Sequence, residues 1–192
     1  DFSRAVWYER IPALYAARNG ISLEEAKAEV LRGYQEVGEQ RLEWYDIKYW
    51  FHRFHLDGYQ ELLESCRNRV SYYPETKPVL SSLGKVYTLI IATGSAREFL
   101  PYLLSKIEGY FVRMFSSVSD YGQLKSPSFY LTVCQEMDIL PEEMAHVGDN
   151  LRFDFTMPRE VGVNALHLNR QGQPSSVSIT NLWQLEPRLQ QL

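Results

Sequence analysis

The stretch HVGDNLRFDF, His146 to Phe155, is the one whose reading decides the fold. With Ala145 in front of it, its first residues form a short strand candidate that ends near Val147. Gly148-Asp149-Asn150 is turn chemistry, and a helix is expected from about Arg152 to Glu160. A strand that runs through a tight turn into a helix is half of a βα unit, the building block of a parallel sheet. In open sheets of that kind, ligands bind beyond the carboxyl ends of the strands. Asp149, and Asp154 five residues later, are therefore expected on that edge.

Outward from this stretch the same alternation continues. Strands are expected at Val86–Ala92, Val112–Val118 and Asn164–Leu168. Helices are expected at Glu75–Leu83, Arg97–Ile107, Pro127–Met137 and near Thr180–Gln190, with Gln171–Ser178 a polar, turn-rich loop. The first 73 residues read differently, as helices only. Ser3 opens a segment to about Arg18 that Asn19-Gly20 stops. Ser22-Leu23-Glu24-Glu25 is a capping-box pattern, opening a helix to about Val37. Glu39–His55 is dense in aromatics and ends at Asp57-Gly58, and a fourth helix covers about Tyr59–Asn68. The break near Val70–Pro74 divides an all-helical sub-domain, residues 1–73, from an α/β, Rossmann-like parallel-sheet core, residues 74–192.

Composition narrows the function. At 192 residues, with one domain per ~150 residues as a guide, one core with an added sub-domain is the natural size. Apolar residues at 45% and charged residues at 23% exclude a disordered or fibrous chain. A net charge of −4 excludes the basic face of a dedicated nucleic-acid binder. Cys66 and Cys134 cannot make a disulfide framework and lack metal-type spacing. The longest apolar run, Val86 to Ala92, falls far short of the ~20 residues that span a bilayer. The N-terminus shows no leader pattern. A cytoplasmic protein that meets neither membrane nor nucleic acid is expected.

The residues just beyond each strand give the candidate site. After the first comes Thr93-Gly94-Ser95, whose hydroxyl and amides, at the start of the next helix, suit phosphate oxygens. After the second comes a loop ending in Lys125, an ammonium that can neutralise charge on a phosphoryl group. After the third comes Asp149, a hard oxygen ligand of the kind Mg²⁺ takes one or two of alongside water and substrate phosphate. Asp154 either ligates through water or orients Lys125 by an ion pair. Singly, each has a plain structural reading: a turn and N-cap, a solvated lysine, a helix-start carboxylate. In order after three successive strands, they make a set suited to a phosphate and a divalent cation. His52 and His55 share a helix face without a carboxylate or Cys at ligand spacing. The aromatics of Trp44–Phe54 surround too much of their helix to form one stripe, so most read as core, with one or two free to line a substrate entrance.

The segments IIATGS (Ile90–Ser95), LKSPSFY (Leu124–Tyr130), HVGDNLRFDF and VGVNALHLNR (Val161–Arg170) resemble motifs II to IV of the haloacid dehalogenase-like (HAD) hydrolase superfamily, in order and spacing. The match covers about Pro74 to Arg170, and the helical first third resembles that family's inserted cap. The resemblance implies a Mg²⁺-dependent hydrolase. Thr93 and Gly94 would bind phosphate, Lys125 would stabilise charge, Asp149 would hold the metal and Asp154 would support it. It also implies an attacking Asp at the end of an N-terminal central strand. Residues 1–192 contain no such strand ahead of Asp1-Phe2-Ser3, and Asp1 is a poor substitute, so the nucleophile is expected upstream of residue 1, in cis or from another chain. Loss of that strand is expected to leave a gap in the core. The implied activity is phosphatase action on a small phosphorylated metabolite through an aspartyl-phosphate, by a monomer or homodimer. The alternatives are a non-catalytic phosphate-binding protein, a 2-haloacid dehalogenase, or a helical interaction module built on residues 1–73.

Overall fold

From Phe2 to Asn19 the computed structural model, which describes residues 2–191, is one helical run. Its ends, Phe2–Arg4 and Ile11–Asn19, are α-helical, and Ala5–Arg10 between them is a π-helical turn. Gly20 stops it in the left-handed region, φ 64°, where a side chain would be strained. Asp1 lies outside the described residues. The capping box forms next. The Ser22 hydroxyl accepts the Glu25 N–H at 3.2 Å, and the Glu25 carboxylate accepts the Ser22 N–H at 3.0 Å, at the head of Leu23–Val37.

The aromatic segment expected as one helix over Glu39–His55 is broken in two. Leu42–Tyr45 is a 3₁₀ turn, and Asp46 then accepts the Lys48 N–H at 2.8 Å, capping a new helix, Ile47–Arg53. An Asx side chain competes with the helix backbone at such a position, and here it sets the break. Tyr59–Cys66 comes next, extended by a 3₁₀ turn, Arg67–Arg69.

The chain divides into two compact units. One takes the chain up to Tyr72 and also Ser95–Lys106; the other holds Tyr73–Gly94 and everything from Ile107 onward. Ser95–Lys106 thus groups with the helical unit, where the sequence pattern placed it in a continuous core, residues 74–192. The helix expected over Arg97–Ile107 also shrinks to Leu100–Leu103. The cause is packing: Ala96 and Phe99 are buried, with Phe99 stacked on Trp7 at 5.5 Å and edge-on to Phe2 at 6.3 Å. The core of this unit is largely ring on ring. Trp50, fully buried, meets Tyr34 at 4.7 Å and Phe54 at 5.5 Å.

The other unit is α/β with parallel pairing throughout. Its strands are β1 (Ile90–Thr93), β2 (Arg113–Ser116), β3 (Ala145–Gly148), β4 (Asn164–Leu168) and β5 (Ser178–Ile179). β1 pairs with β2, and β3-β4-β5 form a second sheet. β1 starts later than expected because the N–H groups of Val86 and Tyr87 both turn back to the Leu83 carbonyl, leaving Val86 72% exposed. β2 ends early because the Ser116 hydroxyl accepts the Ser119 N–H at 3.0 Å and caps Ser117–Tyr121. β5 falls at the end of the stretch expected as loop. The terminal helix is a 3₁₀ turn, Leu182–Gln184, and then Leu185–Leu189. Helix Pro127–Met137 stands where it was expected and buries Phe129, Tyr130, Val133 and Cys134 with Phe115, Met144 and Val163. Thr76–Leu83 and Leu185–Leu189 cover Leu166 of β4 and Ile179 of β5. Among the described residues β1 pairs only with β2 and β3 only with β4, and every residue of β1 is partly exposed. No helix of the described residues is long and apolar enough to cross a membrane.

Candidate active site

The carboxyl ends of β1 and β3 carry Thr93 and Gly148, and Lys125 enters from the loop after Ser117–Tyr121. Local chemistry holds that loop in place. Ser126 caps Pro127–Met137 by accepting the Phe129 N–H at 3.2 Å, and its hydroxyl donates to Gln123 at 2.9 Å, so the backbone on either side of Lys125 is tied down. The Lys125 stem passes Gly94, where an added Cβ would lie 3.8 Å from its Cε.

Lys125 ends on Asp154. The ammonium donates to Asp154 Oδ1, and the two side chains are only 12% and 5% exposed. His146 Nε2 lies 3.0 Å from the same oxygen, and the Asn150 N–H donates to Oδ2 at 2.9 Å. Both carboxylate oxygens are thus engaged. Burial alone would raise the Asp154 carboxyl. The hydrogen bond from His146 and the Lys125 charge outweigh it and hold the group well below the usual carboxylate range. Burial acts the other way on His146 and, with the Lys125 charge, lowers its affinity for a proton despite the bond to Asp154. An ionised carboxylate only accepts, so the neutral imidazole presents Nε2–H to it.

Backbone geometry makes room for this cluster. Asp154 sits in a π-helical turn, Leu151–Thr156, capped by Asn150, whose side chain accepts the N–H groups of Arg152 and Phe153 at 3.0 and 2.8 Å. The side chain of Asp154 lies flat against Gly148, and a Cβ there would stand 2.3 Å from its Cγ. That close approach, and not φ, is why glycine occupies the position. Tyr130 donates to the Phe153 carbonyl at 2.7 Å and sets its ring 5.1 Å from the His146 ring.

Asp149 is different: it is exposed, in the turn after β3, and its backbone carbonyl lies 3.0 Å from His167 Nε2 on β4. The structure therefore brings together Gly94, Lys125, Asp154 and Gly148, with Thr93 at the end of β1 and Asp149 in the turn after β3. Of the two roles open to Asp154, it takes the ion pair. The helix expected at Arg97–Ile107, close behind Ser95, is reduced to Leu100–Leu103, so no helix starts at Thr93-Gly94-Ser95 to lend its dipole. No cluster of three or more His, Cys, Asp or Glu that could hold a metal occurs among the described residues. The donor set still fits Mg²⁺, which leans on one or two carboxylates and keeps waters and substrate oxygens for the rest. Asp149 supplies such a carboxylate, exposed, whereas Asp154 Oδ1 already accepts from Lys125 and His146 and Oδ2 from the Asn150 N–H.

His146 is a site residue to which the sequence reading gives no role. A signal for it exists, because side chains two apart in a strand share a face, so the Gly148 that makes room for Asp154 places His146 beside it.

Comparison with known proteins identifies the family. The haloacid dehalogenase-like hydrolase family model matches residues 3–162. Among solved structures, a HAD phosphatase from Thermococcus onnurineus is 28% identical with a TM-score of 0.82, over 93% of this chain and 87% of that one. The Bacillus subtilis protein YfnB, bound to magnesium, is 18% identical with a TM-score of 0.69, over 99% and 93% of the two chains. A 2-haloacid dehalogenase from Pseudomonas syringae is 23% identical with a TM-score of 0.60, over 99% and 74%. No curated protein matched the sequence. The family match spans most of the chain and takes in the residues that form the Lys125–Asp154 cluster; the chain belongs to the haloacid dehalogenase-like hydrolases.

Proposed function

We propose that this hydrolase is a Mg²⁺-dependent phosphatase acting on a small phosphomonoester. The observation that carries the reading is the buried Lys125–Asp154 pair beside Gly94, with Asp149 exposed in the turn after β3. A cell of this kind is built for a phosphoryl group: there is little covalent chemistry for the protein to do, and positioned charge does most of the work. The similarity to the Thermococcus phosphatase supports the same reading.

In this scheme the Thr93 hydroxyl and Gly94 N–H donate to phosphate oxygens. An ammonium has three N–H donors, so Lys125 can hold Asp154 and still donate to an oxygen on which charge builds. Asp154 fixes the direction of that ammonium, and His146 fixes Asp154. Asp149 would hold the cation, which when bound supplies positive charge to the phosphoryl oxygens. In the overall reaction the ester P–O bond breaks, water provides the replacing oxygen and the departing alcohol gains a proton. The resemblance assigns the attack to an aspartate and an aspartyl-phosphate intermediate, and no described residue is given that role.

The test is hydrolysis of 4-nitrophenyl phosphate by the purified chain with Mg²⁺, with EDTA, and after Mg²⁺ is restored. Turnover that EDTA abolishes and Mg²⁺ restores is expected, and Lys125→Ala should lower kcat by about 10²–10³-fold. Turnover of a 2-haloacid in EDTA would replace the reading with a dehalogenase. Phosphate binding with no turnover in either condition would replace it with a binding protein.

A further inference from the structure

Helix Ile47–Arg53 ends in a Schellman motif whose central residue breaks the usual rule. The Leu56 N–H donates to the Phe51 carbonyl at 2.8 Å, and the His55 N–H to the His52 carbonyl at 3.1 Å. Leu56 and Phe51 are both buried in the core of the helical unit, as the apolar pair of such a cap commonly is. His55 lies in the left-handed region, φ 54°, the place glycine usually takes because a Cβ is strained there. Elsewhere the chain does use glycine to end a helix, at Gly20 and at Gly122, φ 59°. Among the described residues, Asp138 is the other non-glycine residue with positive φ, and a short Asp side chain suits that region. The cap needs the backbone of residue 55 and makes no use of its imidazole. A side chain kept in spite of backbone strain points to a task of its own.

His55 lines an open pocket of about 550 Å³, all of whose lining belongs to the helical unit. Arg18, Lys48, His52 and Gln60 share that lining, and each is exposed. Phe51 and Leu56 give it an apolar part, and Tyr59 sets its ring edge-on to Phe51 at 6.0 Å. The lining holds one carboxylate, Asp57, which is 99% exposed and 3.9 Å from Arg18. A pair that long and that exposed is worth little, so the guanidinium keeps its donors for other use. Lys48 pairs at 2.5 Å with Glu98, which is not in the lining, and an ammonium has two further N–H donors. Cationic and imidazole groups therefore outnumber acceptors around the pocket.

We infer that this pocket is a second ligand site, sharing no residue with the Lys125–Asp154 cluster, and that it binds a compact oxyanion of at least two charges. Guanidinium, ammonium and imidazole are the donors that such oxygens accept from most strongly. A cationic ligand would meet Arg18 and Lys48 as like charges. An apolar one would strip the exposed donors of water and put nothing in its place. His52, His55 and Asp57 do not form a group that could hold a metal ion. The site does not depend on the phosphatase reading.

The experiment is NMR of the four histidine rings of the intact chain. Pyrophosphate is added without metal, at constant pH and ionic strength, and the signals of His52 and His55 are assigned from His52→Gln and His55→Gly. Both are expected to shift saturably. His55→Gly, followed through His52, should weaken binding about tenfold, the worth of one charge-assisted hydrogen bond. The same variant should raise the unfolding temperature by about 2 °C, because glycine relieves the strain. Arg18→Gln, at an exposed position, should weaken binding to a similar extent and leave the unfolding temperature unchanged. A purely structural His55 would alter stability and not affinity, so unchanged binding in His55→Gly overturns the inference. A lowered unfolding temperature in that variant overturns it too, since the cap would then need the imidazole. Shifts confined to His146 and His167 place the anion in the other unit and overturn it, as do equal shifts with sodium chloride.

Discussion

The two units of this chain use buried polar groups in opposite ways. In the helical unit the polar tips of Tyr34 and Trp50 are each satisfied by a backbone carbonyl, so that flat apolar surface can pack. In the α/β unit a lysine, an aspartate and a histidine are gathered under one strand edge, each partnered mainly by another member of the cluster. The first arrangement stabilises through area and ring geometry. The second costs desolvation for every charge and regains it only while all members are present. Side-chain satisfaction in the rings is therefore structural, whereas the charged cluster needs another reason to exist, and the proposed phosphoryl chemistry at the strand edge would be that reason.

The largest expected effect tests this contrast directly. Asp154→Ala leaves the Lys125 ammonium buried without its carboxylate and should lower unfolding free energy by about 3–5 kcal/mol. The double variant Lys125→Met, Asp154→Leu replaces the pair with apolar groups of similar shape. It should recover part of that loss, because the buried charge is gone, while the His146 Nε2–H and the Asn150 N–H still lose their acceptor at about 1–3 kcal/mol each. Phosphomonoester turnover should be lost in both. Urea denaturation reads the first two outcomes and the hydrolysis assay the third. If the double variant is as unstable as the single one, the pair is structural and the contrast fails.

Much of the contrast could be read along the chain, and the limits of that reading are physical. Helix Pro127–Met137 was legible because Ser126 and Pro127 are local start signals, and the Ser22–Glu25 box was legible for the same reason. Lys125, Asp149 and Asp154 stood out because each lies beyond a strand. Which partner Asp154 takes was not legible, since Lys125 is 29 residues away and the choice between lysine and metal depends on burial. β5 was hidden because it is specified by backbone bonds, His167 N–H to Val177 and Asn169 N–H to Ile179, in a polar stretch without alternation. Ser95–Lys106 kept a helical pattern, yet tertiary contacts of Ala96 and Phe99 overrode it.

A second charged pair sharpens the comparison within the α/β unit. Glu75, 5% exposed, accepts from Arg170 at 2.7 Å, and the Arg170 guanidinium stacks over the Tyr73 ring. Burial opposes ionisation here, but the Arg170 hydrogen bond and backbone donors prevail and hold the carboxyl below its ordinary 4.5. A group whose folded value is depressed adds stability that is complete above the unfolded value and lost as pH falls through the folded one. Glu75→Gln should therefore cost about 1.5–3 kcal/mol at neutral pH. The gap from wild type should close progressively once pH drops below about 4.5. Stability measured from pH 7 to pH 3 checks it, and a gap that stays constant would show that Glu75 contributes by shape alone.

The smallest expected effect lies in the ring unit. Tyr34 is almost fully buried, and burial raises its phenol well above the usual value, so it remains a neutral O–H donor to the Trp7 carbonyl. Tyr34→Phe keeps the ring, with its edge-on contacts to Trp7 and Trp50, and removes only that bond. The expected loss is about 1 kcal/mol, the usual worth of a neutral hydrogen bond, with the urea slope unchanged because the same surface is exposed on unfolding. If ring packing holds the aromatic unit together, deleting one polar tip costs no more than that bond. A loss comparable to that of Asp154→Ala would mean that the carbonyl-tied hydroxyl, and not the stacked rings, organises the unit, and the distinction between the two styles of burial would disappear.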